Sequence, residues 1–183
     1  MVTSGNYGFV AEPASLIFKT GRTGMGRRAG HDLVLAVGEW SGEALVDFDN
    51  PENFSVSVEA RVESIEVREG KGGVKPLSDG DKAEIRKTLL GILESAAYPT
   101  ISFRSTTVAG TPQSFTVEGE LTIRGTTEKA VFSGRVDGER VHATTTVTQS
   151  QWGIKPYSAF FGALRLADDV AVEVDATLEP RSV

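Results

Sequence analysis

The chain has no cysteine, so disulfides, thiolate catalysis and cysteine-based metal sites are excluded. Histidine is almost as scarce. There are two, His31 and His142, where a metal site usually needs three or more protein ligands. Positive charge is in deficit too, with a net charge of −6, whereas a duplex-binding protein carries a basic surplus; nucleic acid is not an expected partner. No apolar run is long enough to span a bilayer, and Met1 to Val10 lacks the basic start and apolar stretch of a signal peptide. A soluble, cytoplasmic protein without stable membrane insertion is therefore expected. Also missing are a Gly-x-Ser-x-Gly elbow, a phosphate-binding loop and paired carboxylates, so the residues point to no enzyme class.

What the chain does have is alternation. Apolar residues occupy every second position in segment after segment, which marks strands with one packed and one wet face. Phe54 to Val62 is apolar at Phe54, Val56, Val58, Ala60 and Val62, and Phe115 to Ile123 repeats the pattern at Phe115, Val117, Leu121 and Ile123. Leu16 and Phe18, then Leu33, Leu35 and Val37, then Ala44, Val46 and Phe48, follow the same rule. So do Ala130 and Phe132, Val141 and Ala143, and Val170, Val172 and Val174 near the end. Asp137-Gly138 separates two of these runs, a strong hairpin signal. About nine strand segments with short turns, in 183 residues, suit a single all-β domain over 1–183. The expected fold is a closed antiparallel β-barrel of about eight strands, with room for one small ligand.

One stretch breaks the period. Between 81 and 96, Ile85, Leu89, Ile92, Leu93 and Ala96 fall at helical spacing, with Ser78 or Asp79 as N-cap and Pro99 as a stop. This single amphipathic helix is expected to close one end of the barrel.

Tyr98-Pro99-x-Ile101-x-Phe103, together with Gly119-x-Leu121-Thr122-Ile123-Arg124-Gly125-Thr126-Thr127 and the earlier Val62-Glu63-Ser64-Ile65, resembles the YceI-like lipid-binding (polyisoprenoid-binding) proteins. The likeness covers residues 7–180, and its most specific part is the Leu121 to Thr126 stretch. It implies an extended lipocalin-like barrel with a helix-containing insertion, enclosing a long cavity for an isoprenoid chain such as a polyprenyl lipid or quinone. A homodimer is compatible with it. The chain departs from the family in lacking an export signal and in reading Asp79-Gly80-Asp81-Lys82 at the start of the helix.

The candidate cavity wall is Phe18, Leu35, Phe48, Phe54, Val56, Val58, Phe103, Phe115, Val117, Leu121 and Phe132, with Gly119, Gly134, Ala60, Ala130 and Ala143 leaving room on the same faces. An eight-stranded interior can be filled or hollow, and the alternation leaves both open; the resemblance implies hollow. The aromatic stretch with Trp152, Tyr157, Phe160 and Phe161 reads as a lid or a plug at one end. Arg22, Arg27 and Arg28 form the densest positive cluster, in a glycine-rich loop whose Gly-x-Gly-x-x-Ala spacing is followed by a strand, not the helix a dinucleotide site requires. His31, Arg22 and Tyr157 are the candidates for a ligand's head group. No cofactor is required by this reading, apart from a bound polyprenyl lipid or quinone. The rival readings are an enzyme with His31 as base and an interaction module with a filled barrel.

Overall fold

The computed structural model describes residues 2–10 and 15–181. Strands β1 (Gly5–Val10) and β2 (Leu16–Thr23) lead to β3 (His31–Val37) and β4 (Trp40–Val46), then β5 (Ser55–Arg61) and β6 (Ile65–Gly72). The single α-helix among the described residues, α1 (Asp79–Ile92), precedes β7 (Thr100–Thr111), β8 (Ser114–Ile123), β9 (Thr126–Asp137) and β10 (Arg140–Thr148). The two-residue β11 (Ser158–Ala159) and the long β12 (Leu164–Pro180) complete the chain. Among the described residues no helix is long and apolar enough to cross a membrane.

Every strand pairing is antiparallel. Strands β1, β4, β5, β7, β8, β9, β10 and β12 form a closed ring, sealed by β12 against β1 at Phe9↔Leu178. The expected eight-strand barrel is what the chain forms. Strands β2, β3 and β6 extend it beyond the ring, because β12 is long enough to pair with β1 at its C-terminal end and with β2 along its first half. In β8 the alternation places Val117, Gly119, Leu121 and Ile123 inside, with Glu118 and Glu120 exposed. The β8–β9 hairpin turns at Arg124-Gly125, both with positive φ (49° and 72°), the backbone twist that two-residue hairpins favour.

The extension is not closed by strands. β7 starts at Thr100, opposite Arg61, so β6 has no strand along one edge. Helix α1 lies there instead. Lys82 Nζ donates to the Arg68 carbonyl at 3.2 Å, Arg86 Nε to the Ile65 carbonyl at 3.0 Å, and Arg86 Nη2 to the Glu63 carbonyl. Side-chain cations thus satisfy carbonyls on an edge that would otherwise invite another strand. The helix covers the strand-free edge of the extension, beyond the closed ring. Across its far end, Arg124 bridges the Ile92 carbonyl (3.2 Å) and the Gly153 carbonyl (3.3 Å), joining the helix to the segment after β10.

Side chains cap the start of α1 and backbone groups its end. Ser78 Oγ accepts from the Asp81 N–H at 3.1 Å, and Asp81 accepts from the Ser78 N–H at 2.9 Å, a reciprocal capping box. The helix stops at Ile92, well before Pro99. Glu94 takes a left-handed φ of 51°, and the Ser95 and Glu94 N–H groups donate back to the Leu90 and Gly91 carbonyls. That is a Schellman ending with glutamate where glycine is usual. An ion pair from Glu94 to Arg124 at 3.5 Å ties this ending to the β8–β9 turn.

Gly119 and Gly134 do not leave free space, contrary to expectation. A Cβ on Gly119 would lie 2.6 Å from the Phe103 ring, and one on Gly134 would lie 2.6 Å from the Phe115 ring. The ring tips reach over these glycines. Gly134→Ala would also put its Cβ 2.3 Å from the His142 carbonyl. Chemical denaturation of Gly134→Ala should show a loss of about 1–3 kcal/mol, the usual cost of overpacking; unchanged stability would contradict the close packing of Phe115 over this glycine.

Hydrogen bonds from the Ser78 backbone first, then its hydroxyl, with nearby Lys75, hold the Asp81 carboxyl below its ordinary value of 3.8. Because the folded value is the depressed one, the cap is complete above the unfolded value and weakens as pH falls through the folded one. Amide protection factors across 79–92, corrected for the intrinsic exchange rate, should fall in that acid window, and Asp81→Asn should abolish the step.

Candidate functional site

A cavity of about 600 Å³ runs through the barrel interior, within the size range of small-molecule sites. Its inner end, inside the closed ring, is lined by Phe9, Phe115, Phe132, Val141 and Val174. Further along lie Phe103, Val117, Leu121, Val58, Leu16 and Phe18. The rings of Phe103 and Phe132 meet edge-on, with centroids 5.0 Å apart. In the extension the wall passes to Leu33, Leu35 and Val170 on one side and to the helix face Ile85, Leu89 and Ile92 on the other. Leu164, Leu166, Val170, Val172 and Val174 line it along β12, which shifts register between Leu166 and Val170, so the cavity is elongated along that strand.

Polar groups gather towards the extension end. Thr20, His31, Glu84, Thr88, Gln149 and Tyr157 line the cavity there. His31 Nε2 lies 2.8 Å from the Lys75 carbonyl. A carbonyl only accepts, so Nε2 carries the proton and a neutral His31 keeps an acceptor at Nδ1. Gln149 Nε2 donates to the Ala167 carbonyl at 3.0 Å, which leaves its oxygen as an acceptor. His31, Glu84 and Ile85 also border a smaller recess with Ala29, Val74, Lys75 and Leu77, so they stand between the cavity and the surface.

Of the residues singled out in the sequence, Phe18, His31, Leu35, Val56, Val58, Phe103, Phe115, Val117, Leu121, Phe132 and Tyr157 line the cavity. Phe48 and Phe54 do not. Both sit in the β4–β5 link, beyond the strands whose alternation was extended to them, and stack edge-on at 5.6 Å. The Asp47 carboxylate folds that link by accepting from Asn53, Asn50 and Asp49, which holds its carboxyl below the usual range. Trp152 is not in the wall either. It is buried behind it, with Nε1 donating to the Leu121 carbonyl at 2.9 Å, while Ile154 two residues on faces the cavity. Phe160 and Phe161 point to solvent, at 66% and 112% exposure. The aromatic stretch is thus neither lid nor plug throughout, since Trp152 lies behind the wall, Ile154 and Tyr157 belong to it, and Phe160 and Phe161 stand outside.

Arg22 lies near the polar end but does not line the cavity. Its guanidinium pairs with Asp32 at 3.3 Å and donates to the Arg27 carbonyl at 3.1 Å and to the Gly30 carbonyl, holding the β2–β3 loop together. His31 and Asp32 face opposite ways along β3 and form no dyad, as strand geometry demands. The sequence reading missed Val141, Val172 and Val174, although the same alternation marked them, and the helix face, whose apolar spacing was visible but assigned to an end cap.

The family model of the YceI-like domain matches residues 14–178. Among solved structures, Burkholderia cenocepacia BcnA is similar at 16% identity and a TM-score of 0.63, covering 91% of this chain and 97% of its own. The Campylobacter jejuni YceI protein is similar at 14% identity and a TM-score of 0.57, covering 81% of this chain and 85% of its own. At such identities these likenesses speak for the fold alone. No curated protein sequence matches the chain. With most of its length matched by the family model, this chain belongs to the YceI-like family.

Proposed function

We propose that the protein binds one long apolar molecule of the isoprenoid class, a polyprenyl lipid or polyprenyl quinone-type compound, and stores, carries or protects it without chemical change. The observation that supports this best is the lining: an elongated cavity of about 600 Å³ with apolar walls and polar groups towards one end. A prenyl chain offers no groups for hydrogen bonding, so shape and a dry surface suffice to hold it. Burying about 400 Å² of apolar surface contributes on the order of 10 kcal/mol at roughly 25 cal/mol per Å². That is similar in size to the cost of association, so fit and length decide affinity.

The polar end favours some head groups over others. His31 Nδ1, the Gln149 oxygen and the Glu84 carboxylate are acceptors, and the carboxylate opposes a phosphate. A hydroxyl head, as in a prenol or a reduced quinol, suits them better than an anionic one. Tyr157 and Thr88 hydroxyls supply the return donors.

The test is a fluorescence titration with a polyprenol, comparing the parent chain with Leu89→Trp. Leu89 faces the cavity from a helix on which no residue is fully buried, so the larger ring enters the bore without crowding a packed core. The variant should fold normally and bind at least tenfold more weakly. Equal affinity would overturn the interior site, and binding of the corresponding polyprenyl phosphate as tight as that of the prenol would overturn the head-group assignment.

A further inference from the structure

We propose that the extension end of the barrel docks on a phospholipid bilayer, with Phe160 and Phe161 entering the headgroup layer and Arg27 and Arg28 meeting lipid phosphates. The docking rests on the cavity reading for its purpose, since it places the polar end of the lipid tunnel against a membrane.

Three observations carry it. First, Phe161 is 112% exposed, more than in an extended chain, so its ring stands clear of its own neighbours. Phe160 and, on the β2–β3 loop, Met25 (99%) are exposed beside it. A protruding apolar tip fits an interfacial layer better than it fits a protein groove, which needs a matching pocket.

Second, the backbone is held in an unfavourable shape to present these rings. Phe160 and Phe161 take φ of 51° and 54°, a left-handed conformation that bulky residues avoid, and Gly162 follows at 87°. The turn is fixed by the Ala163 N–H donating to the Phe160 carbonyl at 3.1 Å and by Arg165 Nε donating to the Gly162 carbonyl at 3.1 Å. The β2–β3 loop is laced to it, with the Gly26 N–H donating to the Ala163 carbonyl at 2.9 Å. A Cβ on Gly24 would lie 2.3 Å from that same carbonyl. Two loops therefore form one platform, and Leu164, three residues from Phe161, already lines the cavity.

Third, the platform carries charge free for phosphates. Arg27 and Arg28 are exposed and stand outside every ion pair found among the described residues. Asp168 and Asp169, on the adjoining part of β12, are bound to Ser150 and Thr148. The chain as a whole is acidic, so attraction is local to this platform and does not act at long range.

The test is flotation of the full chain with phosphatidylcholine vesicles containing phosphatidylglycerol, alongside the double variant Phe160→Asn/Phe161→Asn. Asparagine tolerates the left-handed conformation, so the variant should melt at or above the parent temperature. Its vesicle binding should fall at least tenfold, and Arg27→Gln/Arg28→Gln should lower binding and its salt sensitivity. Transfer of a prenol from vesicle to protein should slow in the asparagine variant, while affinity for detergent-dispersed prenol stays unchanged. Equal flotation of parent and asparagine variant, or no flotation of the parent, would overturn the docking. So would a parent dimer that the asparagine substitutions dissolve, because the tip would then serve a second copy of this chain. Vesicle binding without any prenol uptake would leave the docking standing and remove the cavity reading instead.

Discussion

Where β5 gives way to β6, its neighbour β7 has not yet begun, and one edge of the sheet is left without a strand. The rest of the molecule depends on how that edge is met. A strand there would complete a uniform barrel. A helix leaning on the edge through Lys82 and Arg86 closes the wall with a different surface, one whose inward residues Ile85, Leu89 and Ile92 are only half-buried. They face a bore instead of a packed layer. The Arg124 turn then fastens the far end of the helix to the segment after β10.

Hollowness in the closed ring has a different origin. Phe103 and Phe115 would reach the axis if they stood upright, as large inward side chains of a small barrel normally do. Glycines at 119 and 134 let their ring tips reach over the neighbouring strand. The space a glycine saves is spent on the wall, and the axis stays open as a consequence. Bore and wall are set by the same pairs of residues.

Much of this was legible in the sequence, because alternation with period two fixes which residues face inward wherever a strand persists. It failed where the strand had ended. Phe48 and Phe54 keep the parity of their neighbours but sit in a link folded by Asp47, where parity has no meaning. The helix was legible from its spacing, yet its place was not, since nothing local reveals that β6 lacks a partner. The early stop at Glu94 was equally hidden, because a left-handed glutamate gives no signal of the kind glycine gives. Trp152 illustrates a further limit: composition marks an aromatic as buried or functional, but only the Leu121 carbonyl shows that it supports the wall from behind. The polar end of the cavity depends on contacts between distant segments, His31 with Lys75 and Gln149 with Ala167, which no spacing rule encodes.

A bore of this length and dryness, in a cell that contains prenyl lipids, should be filled. The most direct measurement is mass spectrometry of an organic extract from protein purified, without added lipid, from its native host. The account predicts a reproducible isoprenoid compound at about one molecule per chain. An extract with no apolar molecule above background, from protein whose fold is intact, would contradict it.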